Sequence, residues 1–422
     1  MIAAALALLA AAQVITLDQA VQTAREQQPQ LRQARANTAA ADARSGQALA
    51  PLLPQLSATG GYQKFVGNTF QTSATTPSLG GTGSVSSINL FTDSLVLSQL
   101  IYDFGTSTSR WRAAKAQAEA QGATERATAL QVDFNVRSAF FAARANRDLV
   151  KVAQDNLDNQ LKHLQQTQGM VEAGTRAEID LIQSRTDTAN ARVLLINAQN
   201  TYQTSKVTLN AAMGVLGPTD YEVSDHQTLP VPGEDATVDA LLEEAYTARP
   251  EIKALEDQVR ADQLTVRSFQ GLYGPSLGLG AGVRQTGPAV DNLGWNAFVG
   301  VSLSWNIFQG GLTRSQVSEA EANVMATVAL LDLQKQQVRS DVDSARLAVR
   351  AAKESLGATQ EALLNARERL RLAEERYQVG VGSSIELGDA QVALTQAAAQ
   401  AVQADDQLAT ARAQLLRAVG RQ

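Results

Sequence analysis

The chain has 422 residues, 44% of them apolar but only 5% aromatic, and a formal charge of −6. With no cysteine and two histidines it offers no thiol nucleophile, disulfide, Cys/His zinc site or lipid-modified N-terminal cysteine. The acidic balance leaves no basic stripe for nucleic acid, and no Ser/His/Asp set, P-loop or post-strand GxGxxG is visible, so neither an enzyme nor a cofactor is expected.

In chain order, residues 1–12 (MIAAALALLAAA) form an apolar run ending in small residues. It is shorter than the ~20 residues of a membrane helix and fits the apolar segment of a signal peptide; a packed N-terminal helix is the alternative. A first structural repeat is read over 13–216. It opens with a helix that Thr16 caps and Asp18 favours in its first turn. Pro29 breaks or restarts that helix, and Pro54 ends it. Strands follow at about 55–66 and 88–102, with Leu95, Leu97 and Ile101 on one face. A long helix over 106–168 is then of order 95 Å at ~1.5 Å per residue. The chain turns near Gly174 and returns through a helix over 175–213. His163 in the long helix and His226 in the linker read as packed or solvated side chains rather than ligands. The Pro-rich linker Gly217–Gly233 falls within a joining region over 217–236.

The second repeat, over 237–422, restates the first. Thr16-Leu17-Asp18, Pro29 and Pro54-Gln55-Leu56 recur 221 residues later as Thr237-Val238-Asp239, Pro250 and Pro275-Ser276-Leu277. Ile101-Tyr102-Asp103-Phe104-Gly105 aligns with Ile307-Phe308-Gln309-Gly310-Gly311 at an offset of 206. That offset persists at Gly174/Gly380, Ile179/Ile385, Leu181/Leu387 and Gly214/Gly420. The difference of 15 residues places an insertion in the Gly/Ser/Thr-rich stretch Gly67–Ser87, as an exposed loop.

Strands of the second copy are read at about 276–285 and 295–308, joined through a hairpin tip over Thr286–Gly294. Trp295, Ala297, Val299, Val301, Leu303, Trp305 and Ile307 share one face; Asn296, Phe298, Gly300, Ser302, Ser304 and Asn306 share the other. Such alternation means a sheet apolar on one side only. The two tryptophans lie ten residues apart, ~33 Å along a strand. Tilted by ~40°, that is about 25 Å, the apolar height between the aromatic girdles of an outer-membrane barrel. Trp295 and Trp305 are therefore expected at the girdles. A soluble β-sandwich is the other reading, but four strands bury too little for one. Four strands also cannot close a barrel, which takes about eight, and open edges in lipid leave backbone groups unpaired. The chain therefore oligomerises, or the strands are not membrane strands.

A second long helix over 313–378 turns at Gly380–Gly382 and returns over 385–418. Val150, Leu157, Leu164 and Val171, matched by Leu356, Leu363, Leu370 and Tyr377, repeat every seven residues. A heptad stripe implies a left-handed coiled-coil seam. The return helix is too short to pair with the whole long helix, and Val238–Gly271 adds about as many residues again.

This doubled plan resembles the TolC-type outer-membrane efflux proteins. So do Tyr102-Asp103-Phe104-Gly105 and Arg376-Tyr377-Gln378-Val379-Gly380 with Ser383 and Ile385-Glu386-Leu387. The resemblance covers nearly the whole chain beyond residue 12. It implies an α+β membrane protein: a homotrimer with a 12-stranded transmembrane β-barrel and a barrel of long antiparallel coiled-coil helices reaching through the periplasm of a Gram-negative bacterium. The linker Gly217–Gly233 would lie in a mixed equatorial region. The helix turns at Gly174, Thr175, Ala177, Gly380, Gly382 and Ser383 would meet a periplasmic adaptor (membrane fusion) protein. That adaptor links the duct to an inner-membrane pump of the RND or ABC type. Glu386 and Asp389, with Asp180 in the first copy, would line the periplasmic aperture; the competing reading is ordinary first-turn acids at a helix N-terminus.

The function implied is passive export, through the duct of a tripartite efflux pump or of type I secretion. These residues do not separate the two. A periplasmic coiled-coil adaptor or scaffold outside the membrane is the alternative from another class. The apolar strand face and the tryptophan spacing argue against it.

Overall fold

The computed structural model describes residues 13–68, 85–225 and 230–421. The signal-like segment 1–12, the middle of the Gly67–Ser87 loop and His226 lie outside the described residues.

A short strand β1 (Gln13–Ile15) leads into helices α1 (Leu17–Gln27) and α2 (Pro29–Leu49), then a 3-10 turn at Ala50–Leu52. Strands β2 (Gln55–Asn68) and β3 (Val85–Tyr102) precede the long helix α3 (Thr106–Glu172) and its return α4 (Glu178–Met213). After strand β4 (Tyr221–Val223) the series runs again. Helices α5 (Val238–Ala248) and α6 (Pro250–Gly271) precede strands β5 (Ser276–Ala289) and β6 (Asn292–Ser304), and then α7 (Leu312–Gln378) and α8 (Ser384–Val419). The long helices are both 67 residues and the returns both 36.

The element ends follow from local chemistry. Thr16 caps α1 in a full capping box with Gln19. Thr237 holds the same place before α5 but makes no side-chain capping bond, so only its extended backbone marks that start. Pro29 and Pro250 are the first residues of α2 and α6, where the missing N–H leaves no helical bond unmade. At the strand-to-helix corner, Asp103 Oδ2 accepts from the Ser107 amide at 2.7 Å and satisfies one orphan donor of α3.

Three details differ from the sequence expectation. The opening helix stops at Leu49, ahead of the 3-10 turn, and not at Pro54. The second hairpin turns at Val290 and Asp291, because β5 continues through Gly287 and Pro288 with an irregular register between Thr286 and Ala289. A bulge accommodates a proline that regular pairing would exclude. And β6 ends at Ser304, so Trp305 stands just past the strand, where its indole Nε1 donates to the Tyr273 carbonyl at 3.0 Å.

The described chain forms two compact units. One comprises Thr38–Gln121 and Leu255–Leu330 and contains the sheet, with strand order β2-β3-β5-β6 and every pair antiparallel. The other comprises the rest, and its packing repeats with the sequence. Val132 and Val136 on α3 are buried, as are Val338 and Val342 on α7, 206 residues on. Leu209 and Met213 on α4 match Leu415 and Val419 on α8 in the same way. The first set packs with Leu17, Val21 and Leu31, the second with Leu241, Leu242 and Ile252. Along the heptad stripe, Ala153 and Leu157 of α3 pack with Ala191 and Leu195 of α4, and Leu370 and Tyr377 of α7 with Leu387 and Ala390 of α8.

Both described parts of the joining region are structured, on either side of residues 226–229. Strand β4 pairs in parallel with β1, Gln13 opposite Tyr221. Further on, the buried carboxylate of Glu234 accepts from Arg412 Nε at 3.0 Å and from the Val231 amide at 3.0 Å, and meets Lys353 Nζ at 2.6 Å.

Candidate functional site

The sheet has two chemically distinct faces. Register places Leu56 opposite Leu97, Leu97 opposite Ala281, and Ala281 opposite Val299. Ala58, Leu95, Val283 and Ala297 form the next row, and Leu279 with Val301 and Leu277 with Leu303 continue it. Because side chains alternate along a strand, all of these share one face. They are open to the surroundings: Val299 is 77% exposed, and Val301 and Leu303 are 68%. Trp295 ends the apolar rows at the hairpin end, level with Gln285 and Asp93, one step from the aromatic pair Tyr62 and Phe91. Tyr102, Tyr273 and Trp305 are exposed at the other end. The opposite face is mostly polar: it carries Gln55, Ser57, Thr59, Ser94, Ser98, Arg284, Asn296 and Ser302, with glycines and the apolar Val96 and Phe298 among them. Among the described residues, strands β2 and β6 each have a neighbour on one side only. No helix among the described residues is long and apolar enough to cross a membrane.

The second feature is the pair of helix turns. Both long helices end in the same motif. The Gly174 amide donates to Val171 and the Thr175 amide to Met170; the Gly380 amide donates to Tyr377 and the Val381 amide to Arg376. This Schellman arrangement needs a left-handed residue at its centre, and Gly174 and Gly380 have φ of 73° and 79°. Ser383 then caps α8, accepting from the Glu386 amide at 3.1 Å, whereas Ala177 at the same place before α4 has no side chain to do so. The turns expose a set of aliphatic side chains: Ile179, Val379, Val381 and Ile385 are all 70% exposed or more.

The acidic residues at these turns have distinct environments. Glu386 sits 3.4 Å from Arg376 Nε, Asp180 accepts from Ser384 Oγ at 3.1 Å, and Asp389 is exposed. The structure thus gives Glu386 a cationic neighbour that the sequence did not announce.

It also reveals a grip between the turns. Arg176 Nη2 donates to the Gly382 carbonyl at 3.2 Å, and its guanidinium carbon lies 4.4 Å from the centroid of the buried Tyr377 ring. On the ring's edge sits His163, 5.2 Å between centroids and tilted by 68°. Thr167 Oγ1 is 3.5 Å from both His163 Nε2 and the Tyr377 hydroxyl. Burial pushes His163 below its usual 6.5, against the pull of Asp187 and Asp180 and with added push from Arg176. None of Arg176, Thr167 or Tyr377 stood out as a site residue in the sequence. The available signal was the mismatch at one repeat position, where Arg176 in the first copy faces Gly382 in the second.

Among the described residues no cluster of His, Cys, Asp or Glu is arranged to hold a metal. What the geometry offers is a two-faced sheet with open edges and a set of structured helix turns. The sequence profile of a family described as "Outer membrane efflux protein" matches residues 20–215 and again 241–421. The chain is 24% identical to the outer membrane efflux protein BepC of Brucella suis, over 77% of this chain and 71% of that one. It is 27% identical to the outer membrane protein TolC of Escherichia coli, over 90% and 77%. The solved structure of the outer membrane protein VceC from Vibrio cholerae superposes with a TM-score of 0.80 at 20% identity, covering 96% of each chain.

Proposed function

The chain belongs to the outer membrane efflux protein family, and from that membership we propose that it is the outer-membrane exit duct of an export system. The observation that carries this is the sheet: apolar on one face, polar on the other, and open at β2 and β6. An open edge in lipid leaves N–H and C=O groups without water or partners, each costing several kcal/mol. Copies of the chain joined edge to edge remove both edges, present the apolar face to lipid, and enclose a water-lined bore. Three copies supply 12 strands. Trp295 and Trp305 then act as aromatic anchors near the two margins of the apolar band, where amphipathic rings favour the interface.

The helix turns are the docking end. Gly174, Thr175, Ala177, Gly380, Gly382 and Ser383 fix their shape, and the exposed Ile179, Val379, Val381 and Ile385 supply apolar area for a periplasmic adaptor, which couples the duct to an inner-membrane pump. Glu386, Asp389 and Asp180 set the charge of the aperture, with Arg376 tempering Glu386. Cargo passes without chemistry, in tripartite efflux or in type I secretion.

The test is the mass and conductance of the detergent-extracted protein. A particle near three times 44.8 kDa, less any cleaved leader, that forms pores in planar bilayers supports the duct. A monomer soluble without detergent, or a trimer that never conducts, overturns it and favours a periplasmic scaffold.

A further inference from the structure

The four strands carry only three charged side chains, Lys64, Asp93 and Arg284. Register sorts them. Lys64 lies in line with Leu56 and Ala58 along β2, and Asp93 with Leu95 and Leu97 along β3, so both belong to the apolar face near its hairpin end. Arg284 belongs to the other face, opposite Ser94 on β3 and Asn296 on β6. It is exposed and has no ion-pair partner among the described residues. Among the described residues this face therefore holds a single cationic side chain, set among neutral hydroxyls and amides with Val96 and Phe298 between them.

Its surroundings are shaped as well as charged. Gly278, Gly280 and Gly282 alternate down β5 from Arg284, with Gly300 across from Gly280. A Cβ at Gly282 would meet the Leu95 carbonyl oxygen at 2.7 Å and the Phe298 ring at 3.1 Å, so the Phe298 ring lies against this bare strip of backbone. Phe298 is opposite Gly282, one same-face step from Arg284, a diagonal separation of about 7–8 Å between neighbouring strands. A guanidinium and an aromatic ring on one face of neighbouring strands, one register step apart, suit one class of solute: an anion with an apolar or aromatic body.

We propose that Arg284, with Phe298 beside it, is an anion-recruiting station on the wall of the duct that favours organic anions such as aromatic carboxylates over cations. The proposal rests on the duct reading above, in which the polar face lines the bore; three copies would set three guanidinium groups around it.

Zero-current potentials of the reconstituted trimer under a KCl gradient test this, near 0.1 M salt where the Debye length is about 10 Å. R284Q should raise the K⁺/Cl⁻ permeability ratio about two-fold, R284E further, and R284K not at all. Because the chain has no cysteine, R284C allows the charge to be restored in the assembled pore by a cationic thiol reagent, which should return the wild-type ratio. Sodium benzoate should reduce wild-type current, with about ten-fold more needed for R284Q and an intermediate amount for F298A. A conducting wild type whose ratio and benzoate sensitivity are unmoved by R284Q and R284E overturns the station and leaves the duct standing. A wild type that does not conduct overturns the duct itself.

Discussion

Arg176 and Gly382 hold equivalent positions in the two repeats, 206 residues apart, and they touch: the guanidinium of one donates to the carbonyl of the other at 3.2 Å. A two-fold repeat would make equivalent residues alike. Here one copy supplies an arm and the other a bare backbone to receive it, and the arm also covers the Tyr377 ring. The asymmetry ties the first turn to the second.

Arg176→Ala should therefore free the second turn while sparing the helices. A partly exposed hydrogen bond and a cation–π contact together contribute about 1–2 kcal/mol. Amide exchange at Val381 and Gly382 should accelerate roughly ten-fold, with exchange in the α3 and α7 cores unchanged. Unaltered exchange at these two amides would mean that the contact does not restrain the turn.

Beneath that contact, His163 makes the same region sensitive to acid. Its folded-state pKa is lowered below 6.5, chiefly by burial, so the unfolded chain binds the extra proton first. Stability at this site is complete above about pH 6.5 and falls as the pH drops below that value, until the folded protein also takes up the proton. Asp187 and Asp180 pull the other way and Arg176 adds to the push. Thermal midpoints of the solubilised protein should fall between pH 7.5 and 5.5, and the fall should be smaller for His163→Gln. Equal pH dependence in the two proteins would assign the effect to carboxylates elsewhere.

Much of the fold was legible because it obeys period and punctuation. Pro29 and Pro250 mark helix starts, Gly174 and Gly380 mark turns, and the alternation from Trp295 to Leu303 marks a strand; each is a local constraint on the backbone. What stayed hidden depends on partners distant in sequence. The β1–β4 pair joins three residues to three others about 200 positions away, too short to show a pattern. The missing cap at Thr237 and the position of Trp305 beyond β6 depend on side-chain orientation and on the Tyr273 carbonyl. Glu386 could be placed at a helix start by its spacing, but its neighbour Arg376 belongs to the preceding helix and is brought close only by the turn.

That neighbour changes what charge substitutions at the proposed aperture should do. Glu386→Lys with Asp389→Lys should lower cation selectivity in bilayers, because each removes a carboxylate and adds a cation. Arg376→Gln should act in the opposite direction, since Glu386 would lose the guanidinium at 3.4 Å. Both side chains are partly exposed, so the shift from Arg376→Gln should be the smaller and should fade in high salt. Selectivity unmoved by all of these substitutions would leave the carboxylates as ordinary helix-start residues.

The linker supplies the most stringent test of what holds the second repeat together. Burial alone would raise the Glu234 carboxyl, but hydrogen bonds from Arg412, Lys353 and the Val231 amide outweigh it and hold the group below its usual 4.5. Its contribution is therefore present above about pH 4.5 and is lost as the pH falls through the lower folded-state value. Glu234→Gln keeps the shape but takes the charge from a site where Arg412 is also buried, and should cost about 3 kcal/mol. Lys353→Ala should cost about 1 kcal/mol or less, since that side chain is partly exposed. Denaturation of the solubilised protein at pH 7 ranks the two: if Lys353→Ala proves as damaging as Glu234→Gln, the lysine rather than the arginine is the partner that matters, and the linker is held from α7 rather than from α8.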